Sequence, residues 1–378
     1  AFNPDTMRME LTSFYEVMFN PVAQAKFVHT VSAGYVTAAV FVLGVSAWYL
    51  LKGRHLELAR RSITVAASFG LASALSVVVL GDESGYETSL NQKMKLAAIE
   101  AMWTTEPAPA PFTLIGIPDR EARETHYALR IPWAMGLIGT RSFDTEIPGI
   151  DALVAEAEKR VRSGILAYDA LMTIRENRDA APAEVRAAFE EHSADLGYAL
   201  LLKRYVDDPR QADAAQIAAA AEDTVPGVWP LFWAFRIMVG LGFSFVALMA
   251  YFFWRSSFRR QRYPRWSLRL AVLVIPAPWI AAELGWIVAE YGRQPWTVDG
   301  VLPTALSVSH LGIGDLLVTL AGFTLVYTVL FVIEMGLMLT YIRKGPHQDI
   351  ELTEEWMERH RRRLSGQQPQ GATGEDAG

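Results

Sequence analysis

The sequence predicts an all-α, polytopic membrane protein: a bundle of five transmembrane helices carrying a large helical segment on its outer face. Three observations predict it. Five stretches, roughly Phe27–Leu51, Ile63–Leu80, Val228–Trp254, Leu270–Val288 and Leu316–Tyr341, are long and apolar enough to cross a bilayer, which needs about 20 residues of helix. The 378 residues are 51% hydrophobic yet 20% charged, and mean hydropathy is positive, which fits apolar spans joined to a water-exposed portion. Basic residues crowd into alternate connections between the spans.

In order, the chain divides into an N-terminal outer segment (1–26), two spans (27–80), a long outer segment (81–227), three more spans (228–342) and a tail (343–378). The second span is short and rich in small residues (Ala66, Ala67, Ser68, Gly70, Ala72, Ser73), which suits close contact between helices. Pro276 and Pro278 predict a kink in the fourth. The link after the first span carries Lys52, Arg54, Arg60 and Arg61, and the link after the third carries Arg255, Arg259, Arg260, Arg262, Arg265 and Arg269. The tail carries Arg343, Lys344, Arg359 and Arg361 to Arg363, while the loop after the fourth span has Arg293 alone. The positive-inside rule then puts the C-terminus in the cytoplasm, and residue 1, the 81–227 segment and Glu290–Trp296 outside. Residue 1 is Ala, and the first apolar stretch begins near Phe27, so the chain is read as processed or as starting partway through a longer protein.

Within the long outer segment, Gly81–Glu106 reads as polar, with a short helical pattern from Lys95 to Met102. Residues 107–111 (Pro-Ala-Pro-Ala-Pro) read as an extended hinge. From Ile150 to Asp207 the periodicity of Leu153, Val154, Ala157, Val161, Ile165 and Leu166 predicts a helical cap, interrupted at Ala180-Ala181-Pro182. The last residues, 366–378, have the composition of a disordered tail. A net charge of −6 gives a general nucleic-acid role no electrostatic support. The absence of Cys excludes disulfides, thiolate metal sites, iron–sulfur clusters and covalent c-type haem.

Chemistry concentrates in a few places. The stretch Glu290-Tyr-Gly-Arg-Gln-Pro-Trp296 closes the fourth span with a carboxylate, a guanidinium and two aromatic rings; with Trp286, the rings fit an interfacial belt. An interfacial cap is the plain reading of that edge. Against it stands Glu283, seven residues before Glu290 and inside the apolar run, where ionisable groups face a polar cavity, a cofactor or a proton path. His29, about one turn into the first span, is a candidate haem ligand or an interfacial imidazole bonded to a carbonyl. Met238 is a thioether candidate or ordinary core filling. Arg236 needs an anion, whether a carboxylate or a haem propionate. Imidazole plus thioether makes a six-coordinate haem, and a lone carboxylate holds a weaker, open-sided iron. Lys95 and Glu100, five apart, are a solvated charged face or a pair for a quinol headgroup, the carboxylate accepting a hydroxyl proton. Glu334 and His310 belong to the fifth span and its approach; His55, His126, His192, His347 and His360 attract no assignment.

Taken together, Lys26-Phe-Val-His29-Thr-Val, Gly81-Asp-Glu-Ser-Gly-Tyr-Glu87, Lys95-Leu-Ala-Ala-Ile-Glu100, Phe235-Arg-Ile-Met238 and Glu290–Trp296 closely resemble subunit I of cytochrome bd quinol oxidase. The resemblance implies a bacterial inner-membrane enzyme of aerobic respiration that oxidises quinol and reduces oxygen to water. It implies His29 and Met238 as axial ligands of the low-spin b haem and Glu290 as ligand of the high-spin b haem. Arg236 and Arg293 would stand beside the haems and Trp286 near one of them, with Lys95 and Glu100 as the quinol pair of the outer Q-loop. A subunit II and a small accessory subunit are the implied partners. The family has nine spans and this chain resembles the last five, so the haem d ligand on the first family helix and an acidic part of the proton route are expected to be missing. This polypeptide alone is then expected not to reduce oxygen. Two other readings stay open: a quinol-linked di-haem b cytochrome of another electron-transfer complex, and a haem-free transporter or scaffold.

Overall fold

The computed structural model describes residues 2–3, 8–176, 181–259, 261–346, 357–358 and 361. Ala180, Arg260, His347, Arg359, His360, Arg362, Arg363 and the 366–378 tail lie outside the described residues. The chain forms two units, Ala1–Val308 and Ser309–Gly378.

In the first unit, helix α1 (Pro21–Lys52) starts where Asn20 accepts from the Ala23 N–H and Pro21 presets the helical φ. It ends at Gly53, whose φ of 69° is open to glycine without strain. Helix α2 (Leu56–Asn91) turns back along it, and the short helix α3 (Lys93–Glu100) follows after Gln92. After the cap come α8 (Val228–Phe258), α9 (Arg265–Leu273) and α10 (Ala277–Trp286). The predicted kink is a full break: α9 stops before the turn at Pro276, and α10 begins after it, with Pro278 in its first turn. Val40, Leu43 and Ala47 of α1, Ile63 and Ala67 of α2, Met249 and Phe252 of α8 and Ala271 of α9 form one apolar core.

Four of the six small residues of the second span, Ala66, Ala67, Gly70 and Ser73, are buried. At Gly70 a Cβ would stand 2.8 Å from both Ala39 Cβ and Met249 Sδ, closer than van der Waals contact allows. Gly70→Val is therefore expected to destabilise by about 1–3 kcal/mol through overpacking, read as a lowered thermal midpoint in detergent.

The second helix differs from its predicted end. It continues to Asn91, so Gly81–Glu87 lies on its last turns and not in a connecting loop. The cap between α3 and α8 contains a hairpin absent from the sequence reading, β1 (Phe112–Asp119) with β2 (Glu124–Ile131), paired from Phe112–Ile131 to Asp119–Glu124. It is followed by α4 (Ile150–Glu176), α5 (Ala183–His192), α6 (Leu196–Leu201) and α7 (Ala214–Glu222). Arg123, near the hairpin tip, ties it to the cap through Asp151 and through Glu222 at 2.7 Å. A further correction concerns Trp296. This ring is buried among Val161, Leu201, Leu202 and Ile217, with its centroid 5.0 Å from that of Tyr198, so it belongs to the cap core and not to an interfacial belt. Trp286 and Tyr291 are exposed.

The second unit holds helix α11 (Ile313–Lys344), begun where the Asp315 carboxylate accepts from the Gly312 N–H at 3.2 Å. Arg343 and Lys344 occupy its last turn, and Glu334 and His310 are exposed. Among the described residues, five helices are long and apolar enough to cross a membrane, Phe14–Lys52, Leu56–Asn91, Val228–Phe258, Arg265–Tyr291 and Ile313–Lys344.

Candidate functional site

Helix α3 carries two of the predicted site residues, Lys95 and Glu100, and meets a third, Arg236. Every residue from Lys95 to Trp103 is buried, and Leu96, Ile99, Met102 and Trp103 share a core with Val225 and with Val228, Leu231 and Phe232 at the start of α8. The solvated charged face is thereby overturned: Lys95 is 6% exposed and Glu100 4%.

The two charges do not pair with each other. Glu100 accepts from Arg236 Nη2 at 3.0 Å, so the anion that Arg236 required is a carboxylate of this chain. The rest of the guanidinium donates to the carbonyls of Ile99 (2.8 Å), Phe232 (3.0 Å) and, from Nε, Thr113 (2.8 Å). One buried side chain thus ties together α3, β1 and α8. Burial pushes the Glu100 carboxyl up to about 7, against the pull of the Arg236 guanidinium. Lys95 turns the other way, donating from Nζ to the Ala289 carbonyl at 3.0 Å. Burial pulls its ammonium down to about 8; Lys26 adds to this and Glu290 opposes it.

Glu290 lies on a π turn, Ile287–Tyr291, that extends α10, and pairs with Arg293 at 2.6 Å. Residue spacing missed this turn. Its i→i+5 bonding shifts the helical phase, so the seven-residue spacing from Glu283 no longer fixes a common face, and Glu283 is exposed. His29 on α1 has a buried Nδ1 without a hydrogen-bond partner among the described residues, although the Val77 backbone lies beside the ring. Across from it stands Gly81 of α2, where a Cβ would be 3.4 Å from His29 Cε1. Met238 on α8 faces Gly285 of α10, where a Cβ would be 3.1 Å from the thioether sulfur.

These contacts share one end of the bundle. His29 meets the last part of α2, Glu100 the start of α8, and Lys95 the end of α10. At that end Arg141, not singled out in the sequence, binds Asp82 (3.0 Å) and Glu83 (2.6 Å) and lies 4.3 Å over the Tyr86 ring. Its signal was slight, one basic residue after the glycine-containing Gly136–Thr140 turn. A cavity of about 230 Å3 opens beside Lys95, lined also by Met94, Leu153, Arg160, Tyr198 and Gln294; Glu100 lies outside its lining.

Residues 1–346, which include every one of these groups, match the family described as cytochrome bd terminal oxidase subunit I. The chain belongs to that family. It is 42% identical over 346 residues to cytochrome bd-II ubiquinol oxidase subunit 1 of Escherichia coli (strain K12), covering 91% of this chain and 67% of that protein. Cytochrome bd ubiquinol oxidase subunit 1 of Bacillus subtilis (strain 168) is 27% identical over 343 residues, 90% of this chain and 61% of that one. Among solved structures, the bd oxidase from Geobacillus thermodenitrificans shares the fold at a TM-score of 0.61 and 24% identity, over 88% of this chain and 60% of that one. The chain thus spans about 60% to two thirds of the length of these relatives. Membership in the cytochrome bd family makes it part of a haem-containing, multi-pass membrane oxidoreductase.

The residues present fit haem. Donors of the kinds haem iron takes are present in the His29 imidazole, whose buried Nδ1 has no partner among the described residues, and in the Met238 thioether, each packed against a glycine that presents no side chain. Near Glu290, the buried Nε of Arg293 has no partner among the described residues and offers a donor to a propionate.

Proposed function

We propose that the chain is the quinol-oxidising, b-haem portion of a cytochrome bd-type terminal oxidase, with quinol entering at the outer face beside Lys95 and Glu100 taking its hydroxyl proton. The observation that carries this reading is the buried Glu100–Arg236 pair, which joins α3 to α8 two residues from Met238. A carboxyl held near 7 is poised to accept a proton at neutral pH. Because Lys95 lines the cavity and Glu100 does not, the transfer runs through one water or a side-chain shift.

His29 and Met238 would hold the low-spin b haem and Glu290 the high-spin one, with Arg293 and Trp286 alongside; haem iron supplies the one-electron acceptance that quinol oxidation needs. Arg236, its donors directed at Glu100 and three carbonyls, holds the base in place. The basic connections favour a cytoplasmic C-terminus, with the α3 end of the bundle outside. Haem d ligation, oxygen reduction to water and assembly with subunit II and a small accessory subunit belong to the whole oxidase.

The test is quinol turnover against pH. Glu100 works as carboxylate, so turnover rises as pH climbs through about 7 and falls below it. Glu100→Gln keeps an oxygen for Arg236 but accepts no proton; it is expected to lose this limb and on the order of 10²–10⁴-fold in rate at unchanged haem content. Parallel loss of rate and haem would reduce Glu100 to a structural residue.

A further inference from the structure

We infer that Lys95 is a positioning residue for Glu290, fixing from the cap side the π turn that presents this carboxylate. The inference rests on the reading that Glu290 holds the high-spin b haem.

A helix end leaves carbonyls without partners, and each must be met from elsewhere. Here the Tyr291 carbonyl accepts from the Gln294 N–H (3.2 Å) and the Glu290 carbonyl from Gln294 Nε2 (3.4 Å), both from within the segment. The Ala289 carbonyl, one residue before Glu290, accepts from Lys95 Nζ at 3.0 Å, 194 positions away in sequence. Lys95 is buried, so this bond is made out of water and its loss leaves an orphaned carbonyl. Gly292 makes the approach feasible: a Cβ there would meet Lys95 Cε at 3.0 Å and Cγ at 3.2 Å. The lysine stem therefore crosses the Glu290 segment at the one residue that has no side chain to block it. A π turn is a rare departure from ordinary α-helical bonding, and the Lys95 donor meets one of the carbonyls at its end. Without the ammonium, the turn is free to relax and carry the Glu290 carboxylate with it. Lys95 also lines the cavity proposed for quinol, so the residue that meets substrate is the one that sets Glu290.

The test uses the purified full chain in its native assembly and compares Lys95→Met, Lys95→Arg and Glu290→Ala by visible and magnetic circular dichroism spectra. Lys95→Met keeps the apolar stem and removes the donor; it is expected to lose the high-spin b-haem signal while keeping the low-spin band. Lys95→Arg, which keeps a donor, restores the signal. A wild-type spectrum in Lys95→Met, with the high-spin signal gone in Glu290→Ala, overturns the inference and leaves the parent reading standing. Retention of the high-spin signal in Glu290→Ala overturns both. Loss of both bands in Lys95→Met without rescue by Lys95→Arg also overturns it, since Lys95 would then support the fold at large.

Discussion

Arg236→Met is expected to be the most damaging single substitution in the bundle. Removing one partner of a buried ion pair costs on the order of 3–5 kcal/mol. The carbonyls of Ile99 and Thr113 then lose their guanidinium donors as well, at about 1–3 kcal/mol for each group left unsatisfied. Protonation of Glu100 gives partial relief, because burial unopposed by Arg236 pushes its carboxyl further up. Glu100→Gln should be milder, since the amide oxygen still accepts from Arg236 and no buried charge is orphaned except one already bonded to three carbonyls. Thermal midpoints in detergent order the variants as wild type, then Glu100→Gln, then Arg236→Met. Equal losses for the two would show that the guanidinium does not hold α3, β1 and α8 together.

Met238→Leu is expected to abolish the low-spin b-haem signal without loss of protein. Leu and Met have similar volumes, and such exchanges cost under about 1.5 kcal/mol, so the fold survives. What disappears is the sulfur facing Gly285, and with it the axial donor proposed for the low-spin haem. The reduced-minus-oxidised spectrum of purified protein reads the result directly. A wild-type low-spin band in this variant would remove Met238 from the ligand set.

The fold was legible in the sequence wherever its cause is local. Spans follow from runs of apolar residues; the break in the fourth follows from Pro276 and Pro278, and the buried stripe of α2 from Ala66, Ala67, Gly70 and Ser73. Polar composition hid the continuation of α2 through Gly81–Glu87, since charged residues satisfy a helix as well as a loop. The β1–β2 hairpin was hidden by Gly116 and Pro118 inside β1, which depress strand propensity, and by Leu114, Ile115 and Ile117 all remaining exposed. At the candidate site, residue types were readable but partners were not. Glu100 was separated from Lys95 and joined to Arg236, 136 positions distant, by the burial of α3. The burial of Trp296 likewise comes from contacts with the cap, which spacing along the chain does not encode.

The central claim, that quinol delivers electrons at the α3 end of the bundle to haem held by His29 and Met238, is tested most directly by anaerobic mixing of the oxidised purified protein with quinol. The account predicts rapid appearance of the reduced low-spin b-haem band in wild type. In Glu100→Gln that appearance should be slow, while a chemical reductant still reduces both proteins alike. Equal rates of reduction by quinol in wild type and Glu100→Gln would contradict it.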